Sequence, residues 1–450
     1  MALFKIKKGL NIPINGEPKS EIIEKKDVSK VAILGDDYVL MKPSFKVKEG
    51  DKVKKGEVLF VCRKKEEIKF VSPVSGVVES INRGEKRRFL SIVIKREGNE
   101  EVDFKSFNKT ELKSIKKDDV IQQLLDSGLW VSIRRRPFGK IALPDEEPFS
   151  IFINSMDTNP LAPDMSLIVR DKIDEINAGI FVLSKLTKGK LFLIKSPELD
   201  INIDKFEKLE IHEFKGPHPA GNVGTHIHFL DPVEKNKFVW YLNISDLIKI
   251  GHLFLTGKLD NEKIISLAGP MVKEPVHVKT IDGACIDEVV GDNLKSNDDI
   301  RIISGSVLNG RTSKDPENYL GKYHNQISVL KEGYEREFMG WAGPGFKRYS
   351  FLPVFMSYIF RKKKYDFTTA LNGGQRAIVP IGVYEKVMPL DILPTFLLRA
   401  LSVNDIEDIE KLGGLELEEE DLALCTFVSP SKIDYGKLLR ENLNIIEKEG

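Results

Sequence analysis

The sequence predicts an α/β protein of several domains, and three observations carry that prediction. Short alternating strands with glycine turns fill residues 40–95, helix and strand wording alternates from about 103 to 258, and helical spacing dominates the C-terminal end. At 450 residues the chain is too long for one compact core and implies roughly two to four domains. A composition of 41% hydrophobic and 30% charged residues is that of a soluble globular protein, and a net charge of +1 excludes a general affinity for nucleic acid.

Cys62, Cys285 and Cys425 lie far apart, so neither a disulfide framework nor a metal-binding pattern can be drawn, and a reducing, cytosolic compartment is expected. The N-terminus lacks the apolar core of a signal peptide. The most apolar uncharged run, "YSFLPVFMSYIF" (349–360), is interrupted by Pro353 and falls short of the ~20 residues that span a bilayer. Arg361, Lys362, Lys363 and Lys364 follow it, and the pattern is read as a buried helix with a solvated end. Its alternative is a membrane or partner face that includes Phe351 and Phe355.

Taken in order, residues 1–102 hold an N-terminal segment and a small β module. In "VKEGDKVKKGEVLF" the Gly50-Asp51 and Lys55-Gly56 pairs sit between apolar positions, as hairpin connections do. With "VSPVSGVV" the order resembles the biotinyl/lipoyl-like barrel-sandwich hammerhead. Lys64 and Lys65 lie where carrier members bear their prosthetic group, but the tip "RKKEE" lacks the context that modifying enzymes read.

Residues 103–258 are expected to form a Rossmann-like domain. Val120, Leu124 and Leu125 share a helical face, "SIFINS" and "KLFLIKS" are strands, and one helix is predicted from near Pro163 through "PDMSLIVRDKIDEINAGI". Residues 259–315 have the strand spacing of a β-grasp (SLBB-like) unit. Residues 316–450 are assigned to a mainly helical domain through the spacing of Leu438, Leu439, Leu443 and Ile446.

Two loops stand out as sites. "SMDTNPLAPD" (155–164) leaves a predicted strand, where open α/β sheets put their ligand crevice, so Asp157 and Asn159 are expected to face it. "GPHPAGNVGTHIHF" (216–229) is rich in histidine and glycine. Read as a strand, its end places His226 and His228 on one face, as two metal ligands would be. Gly221 and Gly224 give only G-x-x-G, and the alternative is a turn that packs two segments closely. No nucleophile elbow, Walker loop, HExxH or EF-hand pattern occurs, so no catalytic residue and no metal ligand is assigned.

The strings "IKKGLNIPINGEP" (6–18), "MDTNPLAPD" (156–164), "GPHPAGNVGTHIHFLDPV" (216–233), "RIISGSVLNGR" (301–311) and "DLALCTFVSPSKIDYGKLLRENLNIIEKEG" (421–450) together resemble the NqrA family, the A-type subunits of sodium-translocating NADH:quinone oxidoreductases. The resemblance implies a peripheral subunit on the cytoplasmic side of the bacterial inner membrane, partnered by the membrane subunits of the complex. It also implies a fold like the flavin subunit of complex I. Where that flavin site is acidic this chain has Asp157-Thr158-Asn159-Pro160, and where an iron–sulfur cluster needs several thiolates it has Cys425 alone, with Ser429 where such chains commonly carry a second Cys. No tightly bound cofactor is therefore expected, and NADH, flavins and iron–sulfur belong to other subunits. Ubiquinone is the remaining ligand, with Asp157, Asn159, His218, Pro219, Gly221 and His226 as its expected contacts. The competing readings are a stand-alone NADH-oxidising flavoenzyme and a carrier modified at Lys64 or Lys65.

Overall fold

Alternating large apolar side chains along consecutive strands build the central sheet, because each strand must bury both of its faces. The computed structural model describes residues 2–19, 23–296, 298–335, 343–360 and 363–449. Its largest sheet has seven strands in the order Leu3–Lys5, Leu209–Lys215, Lys190–Lys195, Ser150–Asn154, Val239–Asn243, Arg134–Arg136 and Lys140–Ile141. The first five run parallel, and Arg134–Arg136 closes the edge antiparallel to Val239–Asn243.

Ile151, Ile153, Leu191, Leu193, Trp240 and Leu242 face the helices Ile173–Ser184 and Ile244–Thr256. Phe152, Phe192, Ile194 and Tyr241 face the helix Val223–Leu230 on the other side. The helix expected from Pro163 is two helices. Asp164 caps Met165–Val169 through its side chain, Asp171 takes a positive φ of 57°, and a second helix begins at Ile173. That left-handed residue breaks the α ladder, which apolar spacing alone does not reveal.

The two long helices approach closely at glycines. A Cβ on Gly251 would lie 1.8 Å from the Glu175 carbonyl oxygen, and one on Gly179 would lie 2.6 Å from that of Leu247. Backbone cannot yield as a side chain can, so Gly251→Val is expected to cost about 1–3 kcal/mol or more. A shift of the urea midpoint checks this, and an unchanged midpoint would mean the helices do not touch there.

The N-terminal β module is two sheets. Lys30–Leu34, Phe89–Arg96, Gly76–Arg83 and Lys52–Val53 form one, and Pro43–Phe45, Val58–Cys62 and Lys65–Val71 the other, with Phe45, Phe60, Phe70 and Phe89 in ring contact between them. Gly50 and Gly56 do turn the chain, at φ 88° and 87°, but they are not hairpin connections. Lys52–Val53 pairs with Gly76–Val77 within the first sheet, whereas its neighbours along the chain, Pro43–Phe45 and Val58–Cys62, belong to the second, so each turn crosses between sheets. Lys65 is ion-paired to Asp145 at 2.8 Å.

A second mixed sheet orders Arg311–Thr312, Ile300–Ser304, Gln326–Lys331, Glu262–Ala268, Val276–Ile281 and Ile23–Lys25. It therefore draws a strand from each side of 259–315, just as Leu3–Lys5 joins the large sheet. The helices Pro394–Val403, Ile406–Lys411, Ala423–Val428 and Tyr435–Glu449 follow, around Leu397, Leu401, Leu439, Leu443 and Ile446.

Residues 349–360 do not form the buried helix expected of them. Only the short 3-10 turn Met356–Ile359 forms, and Val354 and Ile359 are 68% and 66% exposed. Pro353 and the aromatic density deny the run a helical face to bury. Phe351 packs partly on the helical core, Phe355 lies under the Arg348 guanidinium at 5.9 Å, and Lys363 donates to the Phe346 carbonyl at 2.8 Å. Lys364 pairs with Glu17, while Arg361 and Lys362 lie outside the described residues. Among the described residues no helix is long and apolar enough to cross a membrane.

Candidate functional site

Strand order places the main crevice. The chain steps outward from Ser150–Asn154 to Lys190–Lys195 and Leu209–Lys215, then returns to lay Val239–Asn243 on the opposite side of Ser150–Asn154. Such a reversal opens a gap beyond the carboxyl ends of the two strands. Asn154 and Asn243, paired in register at those ends, both line it. Asp157, Asn159 and Gly221 line it as well, under a roof formed by Gly305–Ser306 and Tyr323–Gln326.

Of the six expected contacts, these three reach the crevice and the other three support it. Gly221 is the closure point. Its N–H donates to Thr158 Oγ1 at 2.8 Å, its carbonyl accepts from Asn154 Nδ2 at 2.9 Å, and a Cβ would meet the Thr158 backbone nitrogen at 2.6 Å. The loop is thus a tight junction of two segments. Pro219 follows a cis peptide bond, and His218 lies buried with Nδ1 3.2 Å from Thr158 Oγ1. Burial pushes its ring down to about 4.

The metal-pair reading of His226 and His228 fails because residues 223–230 are helical, so positions two apart point to different sides. Asn222 stands at the N-cap, but its side chain donates to the Glu420 carbonyl at 3.3 Å instead of capping the helix. His226 is buried, with Nε2 donating to the Ala220 carbonyl at 2.8 Å, and burial pushes it down to about 3. His228 is turned to Glu416 at 2.8 Å, its Nε2 accepting from the Asp391 N–H. Among the described residues no cluster of potential metal ligands occurs. Asp157 accepts from the backbone and side-chain nitrogens of Asn159, while burial raises its pKa.

Beside the crevice lies a buried ionic network that the motifs did not disclose. Arg136, with no exposed surface, meets Asp421 at 2.6 Å, Glu420 at 3.1 Å and Glu418 at 3.2 Å, and the Tyr241 hydroxyl donates to Glu418 at 2.6 Å. Burial, then the charge of Asp421, raises Glu420 to about 7. Gly224 is required here, since a Cβ would lie 2.4 Å from Asp421 Oδ1. The signal was present as the opposite runs "RRR" and "EEED", but which run meets which is a tertiary fact.

A second cavity, about 680 Å³ including its mouth, sits where the β module meets the large and second sheets. Phe70, Leu129, Val131 and Leu320 give it apolar walls, and Tyr38, Lys322, Asp37 and Asp282 are among its polar lining. Burial opposes the charge of Lys322, yet Asp246 and Asp282 hold its ammonium above the ordinary lysine range. Cys425 is buried in the helical core, its thiol pushed up to about 12 by burial, and Ser429 lies 3.2 Å from the Tyr384 hydroxyl.

A mixed α/β chain with a β-sandwich module in front and a second sheet behind, its cavities falling between units, is a multidomain α/β protein. Its parts match three family models: an NqrA N-terminal barrel-sandwich hybrid domain over residues 4–97, an NqrA second alpha/beta domain over 115–259, and an NQRA C-terminal domain over 264–315. The NqrA proteins of Pasteurella multocida, Neisseria meningitidis serogroup A and Histophilus somni strain 129Pt, each named for the Na(+)-translocating NADH-quinone reductase of which it is a part, are 50%, 49% and 49% identical to it over 448 residues, covering 100% of both chains. The chain belongs to the NqrA family. An NAD+-reducing NiFe hydrogenase overlaps 74% of this chain and 61% of its own, at 12% identity and a TM-score of 0.38, too loosely to bear on the argument.

Proposed function

We propose that this chain serves as the NqrA component of a sodium-translocating NADH:quinone reductase, bound peripherally at the cytoplasmic face of the membrane and contributing assembly and quinone access. The end-to-end identity of about half the residues with proteins of that name carries the reading. On this reading the flavins and iron–sulfur centre reside on other subunits, and this chain binds no cofactor tightly. The exposed apolar side chains at Val354, Ile359 and Phe360, next to Lys363 and Lys364, suit a face turned to the membrane subunits.

For ubiquinone the apolar cavity is the better match. Its walls accept a hydrophobic ring, and the Tyr38 hydroxyl and Lys322 ammonium are donors for quinone carbonyls. The crevice at Asp157, Asn159 and Gly221 is lined mainly by polar groups, which an apolar ligand would desolvate at a cost. A photoreactive ubiquinone analogue is expected to label peptides containing Tyr38 or Leu129. Labelling at 157–159 or 221 instead would move the quinone to the crevice.

Affinity purification from mildly solubilised native membranes tests the whole proposal. Recovery of hydrophobic partners with sodium-stimulated NADH:quinone activity is expected. A lone chain would overturn it, and a yellow lone chain oxidising NADH would favour the flavoenzyme.

A further inference from the structure

The polar crevice at the strand reversal has a chemistry that the proposed function does not use. It spans about 730 Å³ when its open mouth is counted. Four of its side chains, Asn243, Ser245, Asn309 and Asn325, make no hydrogen bond to any other described residue. Each carboxamide offers both a donor and an acceptor, so the set is complementary to groups that also do both, such as sugar hydroxyls and the amide-like edge of a base. Met156, Met165 and Val223 supply apolar contact for a flat ring.

The charge of the lining selects further. Asp157 and Glu420 place carboxyl groups in the wall, Glu420 only partly ionised near neutral pH and paired with Arg136, and their ionised forms disfavour phosphate. The Arg134 guanidinium is already committed: it lies over the rings of Tyr241 and Tyr323 at 4.5 and 4.3 Å and faces Glu418 at 3.9 Å. His324 adds no cation, because burial pushes its ring down to about 3 and leaves it neutral. The helices Val223–Leu230 and Ile244–Thr256 both begin at the crevice, and neither N-cap side chain, Asn222 or Asn243, caps its own helix. Asn243 is therefore available to a ligand.

We infer that this crevice binds an uncharged, hydroxyl- and amide-bearing ring compound of the nucleoside class, in preference to its phosphorylated form. Saturation-transfer NMR on the full chain with adenosine, and separately with AMP, tests this. Adenosine is expected to receive saturation and AMP to bind more weakly. Asn243→Ala and Asn325→Ala are expected to weaken adenosine binding by about 3–10-fold each, the worth of one neutral hydrogen bond. Asn309→Ala, in an exposed loop position where folding is not at stake, is expected to act in the same direction. Absence of transfer to adenosine at millimolar concentration, tighter binding of AMP, or indifference to all three substitutions would overturn the inference. Because the readout involves neither quinone nor partner subunits, it stands or falls apart from the proposed function.

Discussion

Replacing Arg136 by methionine is expected to destabilise the protein by about 3–5 kcal/mol, the usual consequence of removing one partner from a buried ion pair. Arg136 has no exposed surface and sits among Glu418, Glu420 and Asp421. Methionine fills much of the same volume, so the loss reports the stranded carboxylates rather than a cavity. The pH dependence separates the two causes. A carboxyl whose folded pKa is raised above its unfolded value binds more protons in the folded state, so its penalty is absent at low pH and grows as pH rises toward the folded pKa. Glu420 already shows this behaviour, raised from 4.5 to about 7. Without Arg136 all three carboxyls move upward, and the deficit measured by urea unfolding should be smaller near pH 5 than near pH 7.5. An equal deficit at both would point to packing alone.

Asp282→Asn is expected to cost a similar ~3–5 kcal/mol, with the opposite pH trend. Burial raises the pKa of Asp282, but Lys249, Lys322 and Lys263 outweigh it and hold the carboxyl well below the usual carboxylate range. Lys249 contacts it at 2.5 Å and Lys322 at 3.8 Å, with Asp246 as the other nearby anion. Removing the charge leaves three ammonium groups facing one carboxylate. Lys263, pushed down from 10.5 to about 8 chiefly by burial, then falls further. A lysine with a depressed folded pKa binds fewer protons when folded, so stability rises with pH between its folded and unfolded values. The deficit should therefore shrink as pH is raised from about 7 to 9.5. A deficit that grew over that range would refute the assignment of Lys263 as the group that yields.

Much of the local structure was legible because it depends on near neighbours in sequence. Val120, Leu124 and Leu125 bury one face of Lys117–Asp126, and "SIFIN" and "KLFLIK" are strands, as their periodicity implies. Errors fell where one residue's backbone decides the element. Asp171 at positive φ splits a helix, Asn222 starts one in a stretch read as extended, and Pro353 prevents one altogether. The crevice itself was half legible: a loop after a strand in α/β wording located Asp157 and Asn159, and the glycine- and histidine-rich stretch 216–229 supplied Gly221. The roof from Tyr323–Gln326, and the unpaired carboxamides of Asn243 and Asn325, come from segments with no motif to mark them.

The sequence by itself determined the element types over much of the chain and the family, since these rest on periodicity and matching strings, and it offered the close junction at Gly221 only as one alternative that the structure then selected. Only the tertiary structure decided that the "RRR" run is buried against "EEED" and that Leu3–Lys5 and Ile23–Lys25 serve distant sheets. It also decided that one cavity is apolar and the other polar. The physical reason is that charge and edge strands carry no address: any cation can pair with any anion and any free strand edge with another, until packing of the whole chain selects one partner.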